Sequence, residues 1–223
     1  YPLRRQRQMC IRDRKEEMTG KNGKDAVKKQ TFEEPYLGLV HRLDQPVSGV
    51  LVFAKNKKAA ADLSNQISNG TMKKFYYALI YGTPIRERDT LEDYLYKDGR
   101  ENLSLIVNAT FPDAKKAILN YRHCSTLMVL EEGEEVSLME IELLTGRHHQ
   151  IRAQMSNAGM PLLGDSKYGS ERSKELSRDI GCKNVALCAY KLSFNHPVTH
   201  KEMVFEREPD EELFDPFLNE GIL

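Results

Sequence analysis

Apolar positions along this chain fall in short runs divided by polar turns, and their period switches between two and about 3.6. Apolar runs on both sides of residues 41–49 predict two buried strands, with Gln45-Pro46 ahead of Ser48-Gly49 marking the turn between them. Helical spacing follows: Asn56 suits an N-cap, Ala59, Leu63 and Ile67 share a face, and Asn69-Gly70 ends the element. An aromatic-rich strand is predicted over Lys73–Tyr81, closed by Gly82-Thr83-Pro84; its alternation sets Tyr76 on the face opposite Tyr77 and Tyr81. The pattern weakens over residues 90–112, read as a loop with one short edge strand around Leu103–Val107. Residues 115–121 read as a strand, and residues 126–130 and 136–144 as a hairpin across the acidic turn between them. A helix is predicted over 147–158, with Ile151 and Met155 facing inward and Gly159 as its C′ residue. After a turn-rich loop over 162–169, strands at 187–194 and 203–205 complete the set. Strands and helices mix without a regular βαβ repeat, which predicts an α+β domain around a largely antiparallel, mixed sheet with flanking helices.

Composition narrows this picture. A chain of 223 residues with 40% hydrophobic content buries a substantial core, and one catalytic domain over 31–210 is the expectation. Residues 1–30 have few apolar positions, no periodicity and a basic cluster at Arg4, Arg5, Arg7, Arg12 and Arg14, which predicts a disordered or foreign arm. Residues 211–223 read as an acidic tail. No apolar run approaches the ~20 residues that span a bilayer, so a cytoplasmic, monomeric protein without a membrane partner is expected. Cys10, Cys124, Cys182 and Cys188 form no Cys-x-x-Cys pair, so neither a zinc site nor a disulfide framework is predicted. The formal net charge is +0, yet residues 1–30 carry ten Lys or Arg against four Asp or Glu, and residues 201–223 carry two against eight. A nucleic-acid partner would therefore be held by a local basic cleft, not by a field over the whole surface.

Candidate chemistry concentrates in the loop His41-Arg42-Leu43-Asp44, where three polar side chains are carried between apolar runs; the alternative is an ordinary connection with solvated charges. His41-Arg42-Leu43-Asp44, followed by Ser48-Gly49 and Ala54-Lys55, resembles the catalytic signature of the RluA-type RNA pseudouridine synthases. Thr145-Gly146-Arg147-His148-His149-Gln150-Ile151-Arg152 resembles that family's other motif, and Lys74-Phe75-Tyr76-Tyr77-Ala78-Leu79 its tyrosine-bearing strand, all in the family's order. Leu162-Leu163-Gly164-Asp165-Ser166-Lys167-Tyr168-Gly169 resembles it again. The resemblance runs from about Leu37 to about Glu206. Members commonly carry a strand and a helix ahead of the first motif, and neither is recognised here.

The resemblance implies the pseudouridine synthase fold, an RNA substrate, ribosomal or transfer, and catalysis by Asp44, Tyr76 and Arg152 with no cofactor. Converting uridine to pseudouridine breaks the bond from ribose C1′ to N1 and rejoins the base through C5, without redox change or group donor. A carboxylate at C1′, Asp44, can bond to that carbon or stabilise it as glycosidases do. Arg152 is expected to hold that carboxylate by a two-point contact, and Tyr76 to stack on the uracil. His41 and Arg42 are expected to hold the flipped nucleotide, with Lys115, Arg147, His149 and Gln150 completing the RNA contacts. Adjacent His148 and His149 lack a carboxylate at helical spacing, so no metal site is expected. Two other readings stand beside this one. An inactive RNA-binding or ribosome-assembly protein would keep the fold, and a nucleoside or glycoside hydrolase would need a second carboxylate that the motifs lack.

Overall fold

The computed structural model describes residues 36–130 and 133–219; the arm over 1–30 lies outside them. Ten strands and four α-helices are present among the described residues. Three two-residue strands come first: β1 (Gly38–Leu39), β2 (Ser48–Gly49) and β3 (Phe53–Ala54). Helix α1 (Lys57–Ser68) leads to β4 (Lys73–Tyr81), β5 (Arg88–Asp98), β6 (Leu103–Val107), β7 (Lys115–Val129) and β8 (Glu134–Leu143). Helices α2 (Gln150–Asn157) and α3 (Glu171–Asp179), strands β9 (Leu187–Asn195) and β10 (Glu202–Glu206), a 3-10 turn (Glu212–Phe214) and α4 (Asp215–Asn219) follow. The main sheet runs β10-β9-β4-β8-β7-β5-β6, all antiparallel, and β2 joins β9 in parallel, so the sheet is mixed but largely antiparallel as predicted.

Both faces of β4 are buried, because its alternate side chains feed two different cores. Tyr76, Ala78 and Ile80 pack with Met139, Ile141, Ile151 and Met155 beneath α2. Leu79 packs on the other face with Leu138, Leu163, Leu176 and Phe214, and Tyr77 and Tyr81 lie against that cluster, which is the split the alternation predicts. Fully burying a side chain such as Leu79, Ile80 or Met155 contributes about 1.5–3 kcal/mol. A third cluster seats α1 through Leu63 against Met72, Leu192 and Phe194. Asn56 caps α1 by accepting from the Ala59 amide at 2.8 Å, and Gly70 follows it at φ +76, both as read from the sequence.

Several boundaries differ from expectation for local reasons. The runs flanking residues 41–49 form only two-residue strands, β1 and β3, which pair with each other, while β2 within the turn pairs with β9. Residues 90–98, expected as loop, belong to the long strand β5; its inward row is Leu91, Asp93 and Leu95, and Asp93 escapes burial cost by accepting from Gln154 at 2.8 Å. The two strands expected over 115–130 are one, β7, with a bulge between His123 and Ser125. Phe214 and Phe217 are buried against the second core, so the segment from residue 211 begins as packed structure and not as a free acidic tail.

Candidate active site

Asp44 sits where the chain turns sharply ahead of β2. The Val47 amide donates to the Asp44 carbonyl at 2.8 Å, closing the turn over Gln45-Pro46. The turn is then pinned to the sheet: Val50 N–H donates to Ala189 O at 2.8 Å, and Gly49 passes so close to β9 at φ +123 that a Cβ on it would lie 2.2 Å from the same oxygen. Only glycine combines that dihedral with that approach. The loop bearing Asp44 is thereby fixed to the strand next to β4.

From the other side comes the turn ahead of α2. The predicted helix over 147–158 begins only at Gln150, because His149 adopts a left-handed φ of 48°. Gln150 holds that turn: its side-chain oxygen accepts from Thr145 Oγ1 at 2.8 Å and from the Arg147 amide at 3.0 Å, and its side-chain nitrogen donates to Ile118 O and Gln154 Oε1. This buried amide, expected to contact RNA, has its hydrogen bonds directed into the protein. Gly159 ends the helix at φ +77, as read from the sequence.

Between these supports lies a cavity of about 370 Å³. It brings together His41, Arg42, Asp44, Tyr76, Arg147, Gln150 and Arg152, while Leu143, Ile151 and Leu187 supply apolar walls. A wider groove of about 1040 Å³ adjoins it across Arg42, Asp44 and Arg152 and carries Lys97, His148, His149, Lys167 and Lys183. Lys115 lines neither; it is exposed where β7 begins.

The two-point contact expected between Arg152 and Asp44 is made with a different carboxylate. Arg152 Nε donates to Asp165 Oδ2 and its terminal nitrogen to Asp165 Oδ1, both at 2.6 Å, and the Asp165 side chain is fully buried. Asp165 Oδ1 also accepts from the Lys167 and Tyr168 amides at 2.9 and 3.0 Å. Arg152 lies 5.1 Å from the centre of the Tyr168 ring. The Tyr168 hydroxyl accepts from the Ser104 amide at 2.6 Å and meets His149 Nδ1 at 3.0 Å, which ties the guanidinium to the β5–β6 hairpin. Asp165 and Tyr168 had no role in the sequence reading, although both stand in its fourth family-like stretch.

Electrostatics separate the two carboxylates. Burial drives the Asp44 carboxyl upward, and the charges of Arg152 and Arg42 with the His149 backbone N–H offset only part of this, so its pKa lies above the ordinary 3.8. Burial also opposes ionisation of Asp165, but the Arg152 fork and two backbone amides overcome it and hold that carboxyl below the ordinary value. Burial, reinforced by the Asp44 charge, raises the Tyr76 phenol, so it stays protonated at neutral pH. Desolvation pushes His41 and His148 down to about 4 and His149 to about 3, with neighbouring cations adding to the effect. These imidazoles are neutral at pH 7, and His41 Nε2 accepts from the Val52 amide at 3.3 Å. Among the described residues no group of His, Cys, Asp and Glu is placed to hold a metal ion.

A family model described as RNA pseudouridylate synthase matches residues 7–157, which include Asp44, Tyr76 and Arg152. The chain belongs to the RluA-type RNA pseudouridylate synthase family. Within this pseudouridylate synthase family, it is 35% identical over 176 residues to the RNA pseudouridine synthase YlyB of Bacillus subtilis, covering 79% of this chain and 53% of that protein. It is 32% identical over 168 residues to the ribosomal large subunit pseudouridine synthase C of Vibrio cholerae, covering 75% and 50%. The chain thus spans about half the length of these curated relatives. Among solved structures, the human RNA pseudouridylate synthase domain containing 1 superposes with a TM-score of 0.65 at 25% identity, over 78% of this chain and 69% of that one. The α+β pseudouridine synthase fold is shared.

Proposed function

We propose that this chain isomerises uridine to pseudouridine in structured RNA, with Asp44 as the group that acts at ribose C1′. The observation that carries the reading is the meeting of Asp44, Tyr76 and Arg152 around one half-apolar cavity in a pseudouridylate synthase domain. A volume of about 370 Å³ suits a single extruded nucleotide, and a base inside a duplex must be flipped out to reach it. Leu143, Ile151 and the Tyr76 ring supply flat apolar contact for the base. Exposed Arg42 and Arg147 stand where the flanking phosphates would pass, and the basic groove beside the cavity continues that path.

Arg152 acts on Asp44 at one remove. Clamped by Asp165, it presents a fixed positive charge that favours ionised Asp44 without neutralising it by a direct fork, which leaves a carboxylate oxygen available to the sugar beside the contact with the His149 backbone N–H. The protonated Tyr76 phenol is a stacking and positioning group, since it is a poor base at neutral pH. A similar protein of Vibrio cholerae is named for the large ribosomal subunit, so ribosomal RNA is the first substrate class to test, ahead of transfer RNA. Incubating the chain with RNA from cells lacking its gene, then counting pseudouridine by mass spectrometry, tests the reading. New pseudouridine supports it; free uracil would mark a hydrolase, and unchanged RNA a binding protein.

A further inference from the structure

Lys74 stands two residues before Tyr76 on β4, and both side chains line the cavity that holds Asp44. Residues so spaced lie roughly 6.5–7 Å apart along one face of a strand. Lys74 is half-buried, and among the described residues its amine has no hydrogen-bond or ion-pair partner. The other cations at the cavity are engaged or at its mouth: Arg152 is forked onto Asp165, Arg147 donates to the Lys116 carbonyl at 2.9 Å, and Arg42 is exposed. Gly146 lies beside the amine: a Cβ there would stand 3.4 Å from Lys74 Nζ, at van der Waals contact. A cation taken out of water without an anion is costly, and burial holds this amine below the ordinary lysine pKa. An anion delivered by the substrate would reverse that cost.

We propose that Lys74 is a further catalytic residue, one that carries the negative charge of the uracil base after it separates from the ribose. The inference rests on the reading of the cavity as a uridine-isomerising site. When the C1′–N1 bond breaks, both its electrons stay on the base, whose charge spreads over N1, O2 and O4, while C1′ faces the Asp44 carboxylate. C5 then supplies the electron pair for the new bond to C1′, the C5 proton leaves, and N1 takes up one proton, so atoms and charge balance. Through these steps the Lys74 ammonium donates a hydrogen bond to a base oxygen and keeps its own protons. A base, and not a phosphate, is the partner that this position fits. Lys74 shares its strand face with the ring that would cover the base, and the cavity that both line has Leu143, Ile151 and Leu187 among its walls, whereas Arg42 and Arg147, its other unforked cations, are exposed.

The test uses 6-azauracil, a near-isostere of uracil whose N3–H is much more acidic, at a pH where it is ionised, with its charge spread onto O2 and O4, and uracil is neutral. The wild-type chain should bind the anion about tenfold or more tighter than uracil, the scale of one charge-assisted contact. Lys74→Met should erase that preference while changing uracil affinity by less than about threefold, and Lys74→Arg should retain part of it. Equal preference in wild type and Lys74→Met, or none in wild type, overturns the proposal. A Lys74→Met protein with a collapsed unfolding midpoint would be set aside and the comparison made with Lys74→Arg and Lys74→Gln. On RNA from cells lacking the gene, Lys74→Met should lower kcat about a hundredfold with KM nearly unchanged, a loss made in the transition state. A raised KM, with a salt slope shallower by about 0.7–0.9, would make Lys74 a phosphate anchor and also overturn it. If the anion preference behaves as expected but wild type makes no pseudouridine, the functional reading fails while the anion site stands.

Discussion

Replacing Asp165 by Asn attacks the site through a residue outside the cavity. In the wild type, the buried carboxylate accepts four hydrogen bonds: two from Arg152 at 2.6 Å and two from the Lys167 and Tyr168 amides. The amide side chain can still accept from the backbone, but it turns an N–H toward Arg152, so one fork contact is lost and the guanidinium remains buried without its counter-charge. Breaking a buried pair from one side costs about 3–5 kcal/mol, which for a chain of this size lowers the unfolding midpoint by roughly 6–20 °C. The pH dependence has a definite sign. Asp165 is held below its unfolded pKa, so its contribution is present above about pH 4 and lost as pH falls through the folded value. The wild-type advantage should therefore shrink on acidification below pH 4. Activity should respond separately: removing this second anion lowers the Asp44 pKa, so the acid limb of the rate profile should move to lower pH in Asp165→Asn. Thermal unfolding across pH, with rate profiles of both proteins, decides the matter. A variant within about 1 kcal/mol of wild type and with an unmoved acid limb would refute the clamp.

Three further outcomes follow from the same geometry. Gly49→Ala places a methyl 2.2 Å from Ala189 O at φ +123, so the Asp44 loop should lift from β9; activity should fall by orders of magnitude with a loss of about 1–3 kcal/mol in stability, and unaltered kinetics would show that the loop position is unimportant. Tyr76→Phe should be much milder than Tyr76→Ala, because the ring face is kept and only a protonated hydroxyl is lost; equal, complete loss would assign an essential hydroxyl. Because Asp44 is raised above 3.8 by burial, the wild-type acid limb should lie above that value, and a limb at or below it would mean a solvated carboxylate.

Much of the fold could be read from the sequence wherever one local rule governed. Lys73–Tyr81 alternates against two cores, and the Asn56 cap and Gly70 bound α1, so these elements emerge with their observed limits. β5 was missed because its inward row includes Asp93, whose partner Gln154 lies 61 residues away. The start of α2 was misplaced because the Gln150 side chain captures the Arg147 amide and substitutes a turn for the first helical hydrogen bonds. In the site, the gathering of Asp44, Tyr76 and Arg152 was legible through motif order, and the identity of Arg152's partner was not. Two carboxylates stood within the family-like stretches, and only the path of residues 162–169 beneath α2 brings Asp165 to the fork. The histidines deceived in a similar way: their basic look in sequence is undone by burial, which keeps all three neutral.

The central claim is that Asp44 performs the chemistry, and the direct measurement is pseudouridine formed by Asp44→Asn on RNA from cells lacking the gene. The amide retains the shape of the side chain but can neither attack nor stabilise C1′. The account predicts no detectable pseudouridine, RNA affinity within about threefold of wild type because the contacts at the mouth are untouched, and an unfolding midpoint no lower, since a buried carboxylate with a raised pKa is replaced by a neutral group. Pseudouridine formed at an appreciable fraction of the wild-type rate by a verified Asp44→Asn preparation would contradict it.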